Sequence, residues 1–584
     1  MFLRWLLIIA VAFLSIACAH VGSGSAEKTA PVIEEQAVKE QDVVESEDAQ
    51  EMDQAIEPSQ LDAALLYSIL GGEIAGQRGE VSMASAFYSD AAQRSLNPQI
   101  ALRAAQIALY TKDIAAAKSA VDILIKDENS TLQSHYLALT VYLRAADIEK
   151  SKDQIKWLLV KSDIPLRNAL LAIGDLISRN ANEEIAQEVI DELVATNSEE
   201  AAAYLSRSQI MLNSGDFDSA EKDARKTMQL DSTWQTGYAM LAQILEKKGE
   251  TKKALVVLKE ANEQFKTAEL MMGYAQLLAK DGQYQAAKEG FLRLIVEEPN
   301  HVEAQFALGL VYLKLEEVEQ AKESFENLYE KNAFKSKTAF YLGQISYRDK
   351  EYQEAIAWFE KVGQGPVFID AQVNTAMIHA EMGALPTARS VLQRLRNRSP
   401  KNSARFYVLE AELLIEAGQH KVLYQLMTEA LAKNPDDLAL RYARSIAATE
   451  VGELAIAEQD LLYILQREPN NVNALNALGY TLASKTFRFK EARQYLTQAL
   501  SQMPDDAAII DSMGWLSYRE GQYEKALILL ETAYSKSPEG EIAAHLGEAL
   551  WMLGRQEEAK RIWQEGLKQF PGDKYLIEVL KRLK

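Results

Sequence analysis

Cys18, in the stretch FLSIACAH, is the only cysteine among 584 residues. One thiol forms no internal disulfide, and a structural metal site needs several ligands held close together. What remains for it is burial as a small hydrophobe, a free thiol, or covalent attachment of another group. The other reactive side chains do not gather. His20, His135, His301, His379, His420 and His545 follow no ligand spacing. GxGxxG, G-x-x-x-x-G-K-[ST] and H-E-x-x-H do not occur, and one Cys cannot make C-x-x-C. Acidic pairs such as Glu297–Glu298 and Asp505–Asp506 fall beside prolines at segment ends, where carboxylates cap helices. The expectation is a protein without catalytic residues, cofactor or metal.

The residues before Cys18 bear on its chemistry. Arg4 supplies a short positive front, Trp5 to Ile16 is an apolar run broken only by Ser15, and small Ala17 precedes the cysteine. These are the parts of a secretory signal, and the apolar stretch is too short to span a bilayer well. The segment resembles a bacterial lipoprotein signal, although Ser15 stands where such signals usually have Leu, with Leu14 one place further out. The resemblance implies a signal peptide over 1–17 and a lipid on Cys18, which becomes the first residue. Ala19 rather than Asp follows it, which by resemblance points to the periplasmic face of the outer membrane. A plain cleaved signal or an uncleaved anchor is the other reading.

Residues 19–60 are of a different composition, rich in Glu and Asp, with two Lys and no Trp, Tyr or Phe. Such a segment buries too little surface to offset the entropy of ordering. The stretch 18–60 is therefore expected to be a disordered acidic tether; the alternative is a recruitment segment that orders on a partner. The formal net charge of −21 argues against binding nucleic acid and against a basic membrane-surface helix. The only expected membrane contact is the N-terminal lipid.

The remaining chain must position whatever function exists, and it has an internal period. Ala186, Ala220, Ala254, Ala287, Ala321, Ala355 and Ala388 recur at 33 or 34 residues, and Leu423, Ala457, Ala492, Ala526 and Ala559 continue the series. Five residues before this slot stands Gly in most units, as at Gly215, Gly249, Gly452, Gly521 and Gly554. Four residues after it stands a large apolar residue, such as Phe291, Phe325, Phe359, Leu496, Leu530 or Trp563. Twelve after it stands Pro in many units, as at Pro299, Pro435, Pro469, Pro504 and Pro538. Gly ends one helix and turns the chain. The small slot residue lets a second helix approach the first. The bulky residue one turn on fills the core beside it, and Pro closes the unit. A two-helix hairpin of this size cannot bury its own apolar face, so successive hairpins stack.

The unit SMGWLSYREGQYEKALILLETAYSKSP, residues 512–538, resembles the tetratricopeptide repeat at Gly514, Gly521, Tyr523, Ala526, Ala533 and Pro538. The resemblance implies an all-α fold, a superhelical solenoid of antiparallel helix pairs. About eleven repeats are expected over 201–571. About four degenerate ones are expected over 61–200, with slots at Ala86, Ala117, Ser151 and Ala186. Residues 572–584 are expected to form a capping helix, with Tyr575, Leu576, Val579, Leu580 and Leu583 on one face.

In this repeat family the first helix of each unit faces a groove, and certain positions point into it. Eleven before the slot stand Gln209, Gln243, Gln276, Gln344, Met377, Trp515 and Glu548. Eight before it stand Leu313, Tyr347, Tyr518 and Trp551, and seven before it Lys314, Arg348 and Arg519. Trp515, Tyr518, Arg519 and Trp551 are expected together as a peptide-binding hot spot; packing between units is the other reading. The glutamines would bond an extended backbone, since an amide both donates and accepts.

The lipoprotein signal, the acidic tether, LLYSILGGEIAGQRGEVSMASAFYSDAAQRSLNP and the C-terminal units together resemble a narrower group. Its members are pseudomonad tetratricopeptide lipoproteins that partner a periplasmic carboxyl-terminal processing protease, a serine protease. The resemblance implies a non-enzymatic adaptor that promotes degradation of cell-wall hydrolases. The alternative function is an assembly scaffold for pilus or secretin subunits, or for peptidoglycan synthesis machinery.

Overall fold

The structure, a computed structural model, describes residues 63–583. The expected signal peptide 1–17, Cys18 and the tether 18–60 lie outside the described residues. Among those residues the chain is 81% helical, with 31 α-helices and no strand. Two compact units divide between Ala307 and Leu308, inside the helix Val302–Lys314.

In the first unit four helix pairs run from Ala63–Gln77 to Glu183–Thr196. Three further pairs begin at Ala201–Ser214, Gln235–Lys247 and Ala268–Lys280. The second unit continues through pairs that begin at Lys335–Arg348, Phe368–Glu381, Ser403–Glu416, Leu438–Val451, Val472–Lys485, Ala507–Arg519 and Gly540–Met552. The chain then ends in the helix Lys574–Arg582. Loops of a few residues join the helices, so consecutive helices run antiparallel.

The repeat positions do what their side chains dictate. Every slot residue from Ala220 to Ala559 has no solvent exposure. The bulky residue four places on is buried too, and its size is matched across the pair by glycine. A Cβ on Gly343 would lie 2.7 Å from the Phe359 ring, and one on Gly547 would lie 1.9 Å from Nε1 of Trp563. Neither close approach survives a side chain on the first helix. The turn five residues before the slot is left-handed, with φ of +78° at Gly521. The same turn is kept where no glycine is present: Lys112, Ala146, Glu316 and Lys350 take φ of 59°, 55°, 60° and 64°. Packing thus imposes a conformation that costs an L-residue about 1–2 kcal/mol.

One expected slot is corrected. Ala86 is exposed, and the buried residue of its helix is Ala84 (2% exposed). Gly79 (φ +73°) lies five before Ala84, and buried Tyr88 lies four after it. The register therefore sits two residues earlier than Pro98 indicated. Pro98 itself opens the next helix behind the cap Asn97, whose side chain accepts from the backbone N–H of Gln99 and Ile100.

Buried charge also follows the repeat. Arg207 and Arg444 stand thirteen residues before their slots, and Asp223 and Asp460 three after. In both hairpins the guanidinium clasps the carboxylate with two N–H donors, at 2.6 and 2.9 Å in the first and 2.7 and 2.8 Å in the second. Arg441 adds a third bond to Asp460 at 2.8 Å. Apolar packing links hairpin to hairpin: Leu461 and Ile464, Leu478 and Leu482, Leu496, and Met513 with Leu516 form one cluster across three successive pairs. Behind the last pair, Leu576 and Val579 of the final helix are buried, and Tyr575, Leu580 and Leu583 pack against the same core.

Candidate functional site

The face made by the first helices of the C-terminal pairs carries the densest functional side chains. The helix Ala507–Arg519 starts at Asp506, whose carboxylate accepts from the N–H of Ile509 at 3.1 Å. Gly514 turns toward the second helix, where a Cβ would meet Leu530 at 2.8 Å. Trp515 and Tyr518, one helical turn apart, stack at 4.7 Å with planes inclined by 12°. On its other neighbour Trp515 lies over His545 of the helix Gly540–Met552, at 4.0 Å and 18°.

Beneath these rings the polar groups are paired. Nδ1 of buried His545 is 3.0 Å from both carboxylate oxygens of buried Asp511. The Tyr518 hydroxyl donates to Glu548 at 3.0 Å, and Arg582 pairs with the other oxygen of Glu548. The Tyr480 hydroxyl, on the helix Val472–Lys485, donates to Glu541 at 2.5 Å across two helix pairs. Lys574 at the start of the final helix donates to Glu450 at 2.8 Å, 124 residues away in sequence.

The electrostatics follow from this packing. Burial pushes the Glu541 carboxyl above the usual range, against the opposing pull of His545 and the Tyr480 hydroxyl. For His545, burial works against the charged ring, but bonded Asp511 and nearby Glu541 and Glu548 outweigh it and the net direction is up. Burial and the adjoining carboxylates hold the Tyr480, Tyr518 and Tyr575 hydroxyls protonated far above neutral pH.

An Asp–His pair is also the positioning half of a hydrolytic triad. Here the imidazole is 3% exposed, is covered by Trp515, and has Asp511 as its only hydrogen-bond partner among the described residues. Those residues also contain no group of three or more His, Cys, Asp or Glu that could hold a metal ion. No helix among them is long and apolar enough to cross a membrane. The arrangement presents a fixed, half-buried aromatic shelf whose hydroxyls and charges are already satisfied from behind.

The structure brings Trp515 and Tyr518 together, packs Trp551 with Tyr518 against one apolar cluster, and gives Arg519 and Trp551 further neighbours of their own. Arg519 turns toward the preceding pair, where it donates to the carbonyl of Ser484 and lies 6.0 and 5.8 Å from the rings of Phe487 and Phe489. Trp551 stacks on Trp563 at 5.7 Å, within the apolar packing of the last pair. The reason is helical geometry. Position seven before the slot lies at the end of the first helix, near the turn, and Trp551 has the large Trp563 to cover.

Elsewhere in the second unit, Tyr347 donates to Glu381 at 2.8 Å, exposed Arg348 pairs with adjacent Asp349 at 3.2 Å, and Gln344 is half-buried. In the first unit Gln209 donates to Asn213 of its own helix at 3.0 Å, Gln243 is exposed and Gln276 is half-buried. Sequence reasoning missed Tyr480, Asp511, Glu541, His545 and Lys574 as parts of the site. Their links join residues 34 to 124 positions apart, and no spacing within one unit signals them.

Comparison with known proteins agrees with this architecture. A family model for the tetratricopeptide repeat matches residues 272–321, 306–367 and 512–574. A TPR repeat-containing protein of Pseudomonas aeruginosa is 39% identical over 209 residues, covering 36% of this chain and 35% of that protein. The type IV pilus assembly protein PilF of the same organism is 25% identical over 166 residues, covering 28% of this chain and 66% of PilF. The chain thus spans about a third of the first relative and just under two thirds of the second. A solved structure of Pseudomonas aeruginosa pilF aligns over 35% of this chain and 96% of that one, at 21% identity and a TM-score of 0.30.

Proposed function

We propose that the chain, whose residues 272–367 and 512–574 match the tetratricopeptide-repeat model and whose described residues fold as paired helices, works as a protein-binding adaptor and makes or breaks no bonds itself. The observation that carries this reading is the Trp515–Tyr518 shelf. Its rings are half-buried and locked by stacking on His545, so little side-chain freedom is lost when a partner covers them. Large aromatic side chains held in this way are the usual anchors of protein interfaces. Tyr347 and Arg348 would extend the surface in the second unit. The amides of Gln209, Gln243 and Gln276 in the first unit, and of Gln344 in the second, would bond an extended partner backbone.

In this proposal the partner is a periplasmic carboxyl-terminal processing protease, and cell-wall hydrolases are the substrates delivered to it. A lipid on Cys18 would hold the adaptor at the periplasmic face of the outer membrane, and residues 18–60 would set its reach. Confining protease and substrate to one tethered scaffold raises their effective concentration with no new catalytic group. The test is degradation of a cell-wall hydrolase by the protease, with and without the adaptor. A rate increase that falls in Trp515→Ala is expected; equal rates with and without the adaptor would end the proposal.

The likeness to the pilus assembly protein PilF favours a second reading, an envelope assembly scaffold. Crosslinking in isolated membranes separates the two: protease adducts support the adaptor, and secretin or synthase adducts the scaffold.

A further inference from the structure

We propose that Phe487, with Lys490 and Arg519, forms a docking point for an acidic segment of a partner protein that carries an apolar side chain. The proposal rests on the reading of the chain as a protein-binding scaffold and names a contact for it outside the Trp515 shelf.

The first observation is one of position. Phe487 stands five residues before the slot Ala492, where neighbouring pairs have Gly452, Gly521 and Gly554 in left-handed turns. Here the turn is made differently. Thr486 is extended (φ −135°, ψ −173°); its hydroxyl donates to the carbonyl of Leu482 at 2.6 Å and accepts from the N–H of Arg488 at 3.0 Å. The side chain of Thr486 thus replaces the glycine conformation and leaves an aromatic ring at the outside of the bend. Phe487 is 86% exposed, the highest value among the exposed large apolar side chains of the described residues. Nothing in the hairpin core needs it there.

The second observation is charge. Arg488 is paired with Glu458 and Glu491, and Arg493 with Glu520. By contrast, Lys490 and Arg519 form no ion pair among the described residues, whereas the charge of Lys485 acts on Glu450. The guanidinium of Arg519 is held between two rings, 6.0 Å from Phe487 and 5.8 Å from Phe489, with one N–H on the Ser484 carbonyl. The backbone bond and the neighbouring rings restrain it, and its other N–H groups have no partner among the described residues. A fixed guanidinium presents several donors in a plane, the geometry a carboxylate accepts.

Together these set two unpaired basic residues, Arg519 beside the ring and Lys490 three residues on in sequence, with a solvent-exposed Phe487 on a chain of net charge −21. A segment with carboxylates next to an apolar side chain complements both features at once. A short acidic segment meets only the local basic groups within a screening length, whereas an anionic bilayer also meets the net negative charge of the rest of the chain, which favours a peptide over a lipid surface.

The test uses the full chain in fluorescence anisotropy against a labelled acidic peptide, EEDFED, and its charge-reversed counterpart, KKKFKK. The acidic peptide is expected to bind about tenfold tighter than the reversed one, and less tightly as salt rises. Phe487→Ala and Arg519→Gln are each expected to weaken it about fivefold, with helix content and melting unchanged, since Phe487 supports no core. Lys490→Glu is expected to weaken it further. Equal binding of the two peptides, or binding unaffected by Phe487→Ala, overturns the proposal. So does Phe487-dependent binding to phosphatidylglycerol vesicles in place of the peptide, which assigns the patch to a lipid surface. The assay contains neither protease nor hydrolase, so its failure leaves the adaptor reading intact, and failure of the degradation assay leaves this one intact.

Discussion

The indole of Trp515 lies flat on the imidazole of His545, with centroids 4.0 Å apart and planes inclined by 18°. The two residues come from first helices of successive repeats, and His545 is anchored in turn by Asp511 at 3.0 Å. A partly accessible aromatic ring is therefore coupled to a buried ionisable pair. The orientation of the ring and the protonation of the pair depend on each other.

A pH dependence follows. Burial opposes the charge on His545, but Asp511, Glu541 and Glu548 raise its pKa on balance, and burial raises that of Glu541. Both groups hold a proton more tightly in the folded state than in the unfolded one. Their contribution is full at pH below the ordinary carboxyl value for Glu541, and below the ordinary imidazole value for His545. It is lost as pH rises through each raised pKa. The C-terminal pairs are expected to melt at a higher temperature at pH 6 than at pH 8, read by tryptophan fluorescence. In His545→Gln the difference should shrink; an unchanged difference would show that the stack is not its source.

Asp460 has no solvent exposure and receives both Arg441 and Arg444. Asp460→Ala removes the buried charge that two half-buried guanidinium groups share, and is expected to cost about 3 kcal/mol. Glu188→Ala, which removes the nearer of the two carboxylates beside Lys152 and is itself half exposed, is expected to cost far less. Urea denaturation of both variants checks the contrast, and similar losses would contradict it.

Gly547→Ala places a methyl where the Trp563 ring already lies, 1.9 Å from its Nε1. The ring also donates to the Ala544 carbonyl at 3.2 Å and has little room to retreat. A loss of about 1–3 kcal/mol is expected, with a change in tryptophan emission. At Gly273 a Cβ meets nothing within 4 Å, so Gly273→Ala is expected to be neutral or to stabilise its helix by up to about 1 kcal/mol.

Lys574→Ala releases the final helix from Glu450. Burial pushes the Glu450 carboxyl up, but Lys574 with Lys485 and His420 outweighs it, and the pKa is lowered. The link is therefore present above the ordinary carboxyl range and fails as pH falls through the lowered value. Because half of Lys574 is exposed, the global cost is expected to stay below about 1 kcal/mol. Amide exchange in Lys574–Arg582 should accelerate at neutral pH; equal exchange in mutant and wild type would show that apolar packing alone holds the helix.

Much of the fold was legible because the repeat writes it many times. One buried alanine at 33 or 34 residues, with Gly before and a bulky residue after, is a local pattern, and each copy corrects errors in reading the others. Where the copies blur, the reading slipped: Ala86 was two residues off Ala84, because Pro98 marks a helix start and not the core. Left-handed Lys112 and Glu316 carry no local signature either. Packing of the hairpin, not residue type, imposes that turn.

The amino-acid order alone determined that the described residues 63–583 form helices, in hairpins of near-constant length that must stack, because 3.6-residue periodicity, Gly turns and small slot residues act within one unit. It also named Trp515 and Tyr518 as neighbours, since they lie one helical turn apart. Only the tertiary structure decided what stands behind them. His545, Tyr480, Glu541 and Lys574 reach the same face from other repeats, and Arg519 leaves it for Phe487. Those contacts depend on how each first helix is rotated against the next, a quantity set by the summed packing of several hairpins and by no single spacing within one.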